Sequence, residues 1–406
     1  MNLNPTKTIH ELITTLAYVN DMDENKKVYH THRVSILSAL IAKNRVSRQK
    51  LKEIFYAAVL HDVGGVGFPH HIIHYLKRND KNSKNILLSH PIIGAQLVSA
   101  IPRMTGAAKL ILDHHEWVNG SGYPRGKTER YIPGGAQIIR IADAIDIAIQ
   151  MNRFPTLDKL KEYLSQNINK EYTLELFNAA IKVLGENKLF YNLYDVNNVP
   201  AIFKEVGDSV GPIKINSRID AIGVTLETLA QVIDMKHPYT AGHSERVCRY
   251  AVDIALAMNL KHNEITKIKW AGLIHDIGKL RVPRVILDKK THLSHRELNR
   301  VRKHAQFTRE IISMVSTLRE IAPIAAMHHE HFDGTGYPLG LKGEEIPLGA
   351  RILNVCDAFD AMTSNRPYRK SMSGLAACRE LEKNAGTQFD PAIVKETIPL
   401  FKNLGL

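Results

Sequence analysis

The sequence predicts an all-α protein built from two tandem helical domains, and three observations carry that expectation. Apolar residues recur at helical spacing while strand-like alternation is scarce. The string HHEWVNGSGYPRG, His114 to Gly126, returns as HHEHFDGTGYPLG, His328 to Gly340, with eight of thirteen positions identical. A chain of 406 residues exceeds one ordinary hydrophobic core.

Each half repeats the same series in the same order. In the first, His30 in HTHRV comes first, and Leu51, Ile54, Phe55, Ala58 and Val59 then follow the i, i+3, i+4, i+7, i+8 rule. That helix delivers His61 and Asp62, after which come His90, the pair His114 and His115, and Asp143. In the second half, His243 in HSERV faces His30, and Ile265, Ile268, Gly272 and Leu273 occupy the matching helix positions ahead of His275 and Asp276. His304, His328, His329 and Asp357 complete the series. From the His-Asp pair onward the offset is 214 throughout, whereas His30 and His243 differ by 213, so one residue was gained or lost upstream. GDSVGPIKINSR, residues 207–218, has the Gly, Ser and Pro of a linker or of a first turn. The expected domains are 1–205 and 206–406.

Composition narrows the class. Hydrophobic residues at 44% and charged residues at 23% are ordinary for globular proteins, and no low-complexity tract is present. A formal charge of +13 suits nucleic acid, an anionic surface or a phosphate-bearing ligand, and equally a set of solvated faces. No aromatic platform interleaves with the basic residues, which disfavours a nucleic-acid polymer as partner. Three cysteines, Cys248, Cys356 and Cys378, without CxxC spacing give neither a disulfide framework nor a thiolate zinc site. The first residues lack a secretory pattern, and no window is apolar enough to span a membrane. A cytoplasmic protein without membrane association is expected.

One histidine on an apolar helix is more often a core residue than a ligand, but here the whole series persists. Trp117 against His331, Asn119 against Asp333 and Gln137 against Arg351 have drifted, while every His and Asp of the series is kept. Packing tolerates an apolar replacement of similar size; a metal demands a lone pair at a fixed place. Imidazole and carboxylate without thiolate suit iron, manganese, zinc, cobalt or nickel. Five His and two Asp exceed the needs of one ion with an open position, so two ions bridged by the Asp of the His-Asp pair is the economical arrangement. Two ions about 3.5–4 Å apart activate water near neutral pH and stabilise charge developing on a phosphoryl oxygen. Lys279, three residues after Asp276, is placed to hold a phosphate oxygen; Val63, Gly64 and Gly65 follow the first pair, without that cation. Gly336, Tyr337 and Pro338 read as a loop that serves as a substrate wall, a docking surface or a rigid corner.

With these residues assembled, the chain resembles the HD-GYP family of the HD metal-dependent phosphohydrolase superfamily, over both halves. The second half carries YTAGHSERV, HDIGKL, HHEHFDGTGYPLGLKGEEIP, ARILNVCDAFDAMTSNRPYR and FDP. The resemblance implies all-helical domains that hydrolyse cyclic dinucleotides, cyclic di-GMP or 3′,3′-cyclic GMP-AMP, to the linear dinucleotide. It implies metal ligands at His243, His275, Asp276, His304, His328, His329 and Asp357, catalytic roles for Asp276 and Lys279, and substrate contacts from Lys279, Arg366, Arg369 and the Gly336–Pro338 loop. Some members add a third metal through a Glu four residues before the first His; Tyr239 and Lys26 stand there, so two divalent ions per catalytic domain are expected. A second departure is KHAQFT, where Ala305 and Thr308 replace the Pro and Gly of HPxxG that the first half keeps at 90–94.

The first half keeps a candidate metal set, His30, His61, Asp62, His90, His114, His115 and Asp143, but has Gly65, Asn152 and Pro155 where the second has Lys279, Arg366 and Arg369. It is expected to bind metal with little or no activity, as a structural or regulatory partner of a catalytic second domain. A non-hydrolytic cyclic dinucleotide receptor, or a broader HD nucleotide phosphohydrolase, are the alternatives. A protein partner at the GYP loop and a homodimer stay open.

Overall fold

The computed structural model describes residues 4–23, 26–27, 29–66, 68, 81–152, 154–215, 220–236, 241–365, 371–402 and 404. Among them the protein is helical throughout, apart from one antiparallel pair of two-residue strands, Met22–Asp23 and Lys26–Lys27. The chain divides into two compact units, Pro5–Ala221 and Ile222–Leu406.

In the first unit the helices are α1 (Pro5–Asn20), α2 (His30–Ala42), α3 (Arg48–Leu60), α4 (Lys81–Ala100), α5 (Thr105–Asp113), α6 (Gly134–Asn152), α7 (Leu157–Ser165), α8 (Leu174–Gly185), α9 (Leu189–Tyr194) and α10 (Val199–Val210). The α3 stripe read from the sequence is real: Ser47 caps its N-terminus by accepting the Lys50 N–H, and Ile54, Phe55, Ala58 and Val59 are buried. The two units meet at 221/222, beyond the boundary at 205/206 read from the sequence. Phe203, Val206 and Val210 put α10 against α2 and α3, and Phe203 stacks on Phe55 at 5.8 Å between centroids. Burying one such phenyl ring is worth about 1.5–3 kcal/mol. Ile213 and Ile215 are also buried, and the Ile215 N–H donates to Thr6 Oγ1 at 2.9 Å, so the Gly- and Pro-containing stretch belongs to the first core.

The second unit runs α11 (Ala221–Met235), α12 (His243–Ala257), α13 (His262–Ile274), α14 (Arg284–Leu287), α15 (His295–Met314), α16 (Ala322–Ala326), α17 (Leu348–Thr363), α18 (Gly374–Lys383) and α19 (Pro391–Lys402). Ser294 starts α15 through a capping box with Glu297. Tyr250, Phe359 and Phe401 close the core between α12, α17 and α19, with Phe359 and Phe401 at 4.1 Å between centroids. In both units the helices α2/α3/α6 and α12/α13/α17 pack together.

Candidate metal centre

Most members of the second-unit series sit where a helix begins or ends, and His304 and Asp357 project from within helices. His243 is the first residue of α12, and His275 and Asp276 directly follow α13. His304 lies in α15, His328 and His329 follow α16, and Asp357 lies in α17. His275, His304 and His328 each donate Nδ1–H to the carbonyl three residues earlier, Gly272, Val301 and Ala325, at 2.7 Å. That bond fixes the tautomer and turns Nε2 inward as a lone pair.

The inward atoms converge on Asp276. His243 Nε2 lies 3.7 Å and His275 Nε2 3.5 Å from Asp276 Oδ2, and His304 Nε2 lies 3.5 Å and His328 Nε2 4.0 Å from Asp276 Oδ1. Asp357 Oδ1 is 3.4 Å from His243 Nε2. His275 Nε2, Asp276 Oδ1, His304 Nε2 and His328 Nε2 are buried with no hydrogen-bond partner. Four orphaned polar atoms aimed at one another would each cost 1 kcal/mol or more, on the order of the penalty for an unmade buried hydrogen bond, unless a cation satisfies them. The set fits divalent metal ions: His243 and His275 face Asp276 Oδ2, and His304 and His328 face Oδ1. His304, His328, His329 and the group His243, His275 and Asp276 form two ligand clusters.

Electrostatics prepare these groups for a metal. Burial holds His304 at about 4 and His328 at about 3, the latter helped by His275, so both are neutral imidazoles near pH 7. Burial and the neighbouring His328 keep His329 well below the ordinary imidazole range. For Asp276 burial pushes upward, but Lys279, His275 and His304 outweigh it and hold the carboxylate well below its usual range. Lys279 Nζ pairs with Asp276 Oδ2 and remains partly open to solvent.

The GYP loop buttresses this centre. Both oxygens of Glu330 accept loop N–H groups, Leu339 at 2.6 Å and Leu341 at 3.1 Å. Tyr337 stacks on His329, 4.8 Å between centroids and 28° between planes, and its N–H donates to the His329 carbonyl at 3.1 Å. A Cβ on Gly336 would stand 2.2 Å from His331 N, so only glycine admits the turn. Pro338 is exposed, Tyr337–Pro338 is cis, and Arg302 lies 5.3 Å over the Tyr337 ring. These contacts hold the loop against the His329 ring. Tyr239, Arg366 and Arg369 lie outside the described residues.

Three positions were missed in the sequence. Asp360 accepts His243 Nδ1–H at 2.7 Å and Arg246 Nε–H at 2.5 Å, orienting the first ligand. Glu330 ties down the loop, as above. Thr308 accounts for the KHAQFT departure: its hydroxyl accepts the Gly278 N–H at 3.0 Å and donates to the His275 carbonyl at 2.9 Å. Gly278 itself has no room for a side chain, since a Cβ would fall 2.0 Å from the His304 carbonyl. Asp360 and Glu330 could have been found by the rule already in use, because Asp146 and Glu116 precede them by the same 214 residues.

The first unit repeats the scaffold. Asp146 accepts from His30 Nδ1 at 2.6 Å and pairs with Arg33, and Glu116 accepts the Arg125 and Lys127 N–H groups at 2.6 and 2.7 Å. Tyr123 stacks on His115 at 4.7 Å, and Tyr123–Pro124 is cis. The candidate ligands gather as Asp62, His90, His114, His115 and as His30, His61, Asp143.

No described helix is long and apolar enough to cross a membrane. The chain is similar to the 3′3′-cGAMP-specific phosphodiesterase 3 of Vibrio cholerae serotype O1, 29% identical over 92% of this chain and 77% of that protein. It is also similar to a cyclic di-GMP phosphodiesterase of Thermotoga maritima, 32% identical over 58% of this chain and 65% of that protein. Its fold is similar to the crystal structure of the cyclic GMP-AMP specific phosphodiesterase V-cGAP3 of V. cholerae, with a TM-score of 0.65, 23% identity and 98% of each chain covered. The HD domain family model matches residues 18–165 and 227–393, the two stretches that carry the His and Asp series, and the chain belongs to the HD domain family.

Proposed function

We propose that this protein is a metal-dependent phosphodiesterase that opens a 3′–5′ phosphodiester bond of a cyclic dinucleotide, cyclic di-GMP or 3′3′-cGAMP, to the linear dinucleotide, and that the second unit does the work. The observation that carries the reading is the buried convergence of His275 Nε2, His304 Nε2, His328 Nε2 and Asp276 Oδ1, unpartnered, beside the ammonium of Lys279. The names of its relatives, phosphodiesterases of these two messengers, support the same substrate class.

His243, His275, Asp276 and Asp357 would hold one divalent ion, and Asp276, His304, His328 and His329 a second. Bound there, such ions supply activated water at neutral pH and Lewis-acid stabilisation of the phosphoryl oxygens. Asp360 holds the His243 ring with its lone pair inward, and Tyr337 fixes the plane of the His329 ring by stacking. Lys279 exchanges its carboxylate partner for a phosphate oxygen of the substrate and neutralises charge as the phosphodiester opens. We assign Arg366 and Arg369 to the substrate phosphates on the resemblance of NRPYR. The first unit, with Gly65 at the place of Lys279, is inactive and serves the second. The free, buried cysteines fit a reducing cytoplasm. Leu339, 55% exposed on the loop, is the apolar contact a protein partner would meet.

The test is hydrolysis of cyclic di-GMP and 3′3′-cGAMP side by side, by protein loaded separately with Mn, Fe, Ni or Zn, next to a His275→Ala, Asp276→Ala double variant. Metal-dependent turnover that disappears in the double variant is the expected result, and the faster substrate names the messenger. Tight binding of either messenger without turnover under any metal would replace the enzyme with a receptor.

A further inference from the structure

The two units differ at one buried position on the wall of the metal centre. In the second unit Asn354, in α17, donates to the Glu330 carbonyl at 2.6 Å and accepts from Gln388 at 3.5 Å, a neutral amide pair. Its counterpart 214 residues earlier is Arg140, in α6, and the counterpart of Gln388 is Glu171. The correspondence of the latter two rests on equivalent backbone contacts: Asn169 N–H to Tyr172 carbonyl and Gly386 N–H to Phe389 carbonyl, both 2.8 Å. An amide pair in one unit is thus an ion pair in the other, with Arg140 Nη2 3.3 Å from Glu171 Oε2.

The arginine does not face only Glu171. Its Nη1 donates to His115 Nδ1 at 3.0 Å and to Asp143 Oδ2 at 2.9 Å, and the side chain is 8% exposed. A neutral imidazole has one lone-pair nitrogen. With Nδ1 accepting from a guanidinium, which does not deprotonate, the ring proton resides on Nε2, and His115 has no lone pair left for a metal. Proximity alone would admit an ion among Asp62, His90, His114 and His115. Arg140 removes one of those four ligands and leaves a fixed positive charge in its place.

At the other end of the cluster four ligand atoms remain in step. His30 Nε2 lies 3.1 Å from His61 Nε2, 3.4 Å from Asp62 Oδ2 and 3.6 Å from Asp143 Oδ1, and His61 Nε2 lies 3.4 Å from Asp62 Oδ2. Ligands about 2.0–2.1 Å from a tetrahedral ion stand about 3.4 Å from one another, which is this spacing. Asp143 keeps Oδ1 for that ion while Oδ2 is held by Arg140.

We infer that Arg140 takes the place of one metal ion in the first unit, so that this unit binds a single divalent ion, held by His30, His61, Asp62 and Asp143. The inference rests on reading these histidines and aspartates as metal ligands; it does not require that the protein hydrolyse anything.

The test counts ions in the full-length chain, stripped with a chelator, reloaded with Zn(II) or Mn(II), desalted and measured by elemental analysis. In a His275→Ala, Asp276→Ala, His304→Ala, His328→Ala background, which takes ligands from both clusters of the second unit, the chain should retain one ion. Adding His115→Ala should leave that count at one, and adding His61→Ala instead should bring it to zero. Adding Arg140→Asn with Glu171→Gln, which copies the second unit's amide pair, should raise it to two. Two ions with Arg140 intact, none at all, or loss of the ion in the His115→Ala chain would each overturn the inference. So would a folded swap variant that stays at one. If the swap variant does not fold, the His115→Ala and His61→Ala counts still decide. A wild-type chain that binds metal but hydrolyses neither messenger would sink the proposed activity and leave these counts to be judged on their own.

Discussion

Asp360→Asn is the sharpest test of how the second unit's centre is built, because the substitution preserves shape and removes one acceptor. The carboxylate now accepts His243 Nδ1–H at 2.7 Å on Oδ2, Arg246 Nε–H at 2.5 Å on Oδ1, and Arg246 Nη2–H at 3.0 Å on Oδ2. An asparagine can keep its carbonyl toward His243 only by turning its NH2 group at the guanidinium, donor against donor. Hydrogen bonds to charged groups contribute roughly 1.5–3 kcal/mol, and the Arg246 share must be discounted because that side chain is 32% exposed. Loss of an orienting partner behind a metal-ligating histidine typically weakens metal binding about 10–100-fold, or about 1.4–2.8 kcal/mol, which agrees with the hydrogen-bond figure. The assay is turnover of the cyclic dinucleotide against free metal set by a chelator buffer. The expected curve moves to 10–100-fold higher free metal, by the same reasoning, and regains most of its height at saturation. An unmoved midpoint, or turnover lost at full metal occupancy, would refute the view that Asp360 acts through His243.

Three further outcomes follow from the same structure. Thr308→Val should leave the Gly278 N–H and the His275 carbonyl without partners, at about 1–3 kcal/mol, and lower the melting temperature by about 2–4 °C for each kcal/mol in a unit of this size; an unchanged melting curve would show that both groups find other partners. Stripping the metal should destabilise the chain, since ions bound only to the folded state at 100 times their Kd add about 2.7 kcal/mol each, and equal melting with and without chelator would speak against a buried metal centre. Burial pushes the Cys248 thiol up to about 12 and also raises Cys356 and Cys378. A raised thiol value means less thiolate at a given pH, about one part in ten thousand for Cys248 at pH 8. Alkylation of the native chain at pH 8 should therefore be slow at all three cysteines and become rapid on denaturation, and fast native labelling of Cys248 would contradict its environment.

Much of the centre was legible because a metal site is written in residue types that packing does not conserve by itself. Two copies in one chain supplied the comparison that a single copy lacks, and the constant offset of 214 separated kept ligands from drifting neighbours such as Trp117 and His331. What stayed hidden was the scaffold behind the ligands. Asp360 and Glu330 recur at the same offset as their counterparts, yet an Asp or Glu beside a His looks like a solvated face until the fold shows both oxygens buried in use. Thr308 was harder still: it reads as a lost glycine, and only the approach of Gly278 to α15 turns its hydroxyl into a clamp between two backbones. The domain boundary was hidden for a different reason. Gly and Pro mark a bend in the chain, but Phe203, Val206, Ile213 and Ile215 around that bend are core residues of the first unit.

Fixed charge is arranged differently in the two centres. In the first, the buried carboxylates of Asp62, Asp143 and Asp146, with Glu171, face the guanidinium groups of Arg33 and Arg140, four negative charges against two. One divalent ion closes that balance. In the second, Asp276, Asp357 and Asp360 face Arg246 and Lys279, three against two, so two divalent ions leave three positive charges uncompensated. Such a surplus is unfavourable in isolation and becomes favourable when an anion enters, which is what a site for a phosphodiester needs. The Arg140–Glu171 pair replaces a neutral amide pair without changing the sum, so the net charge of the two centres differs through Lys279, and it is that added cation beside Asp276 that suits the second centre to an anion.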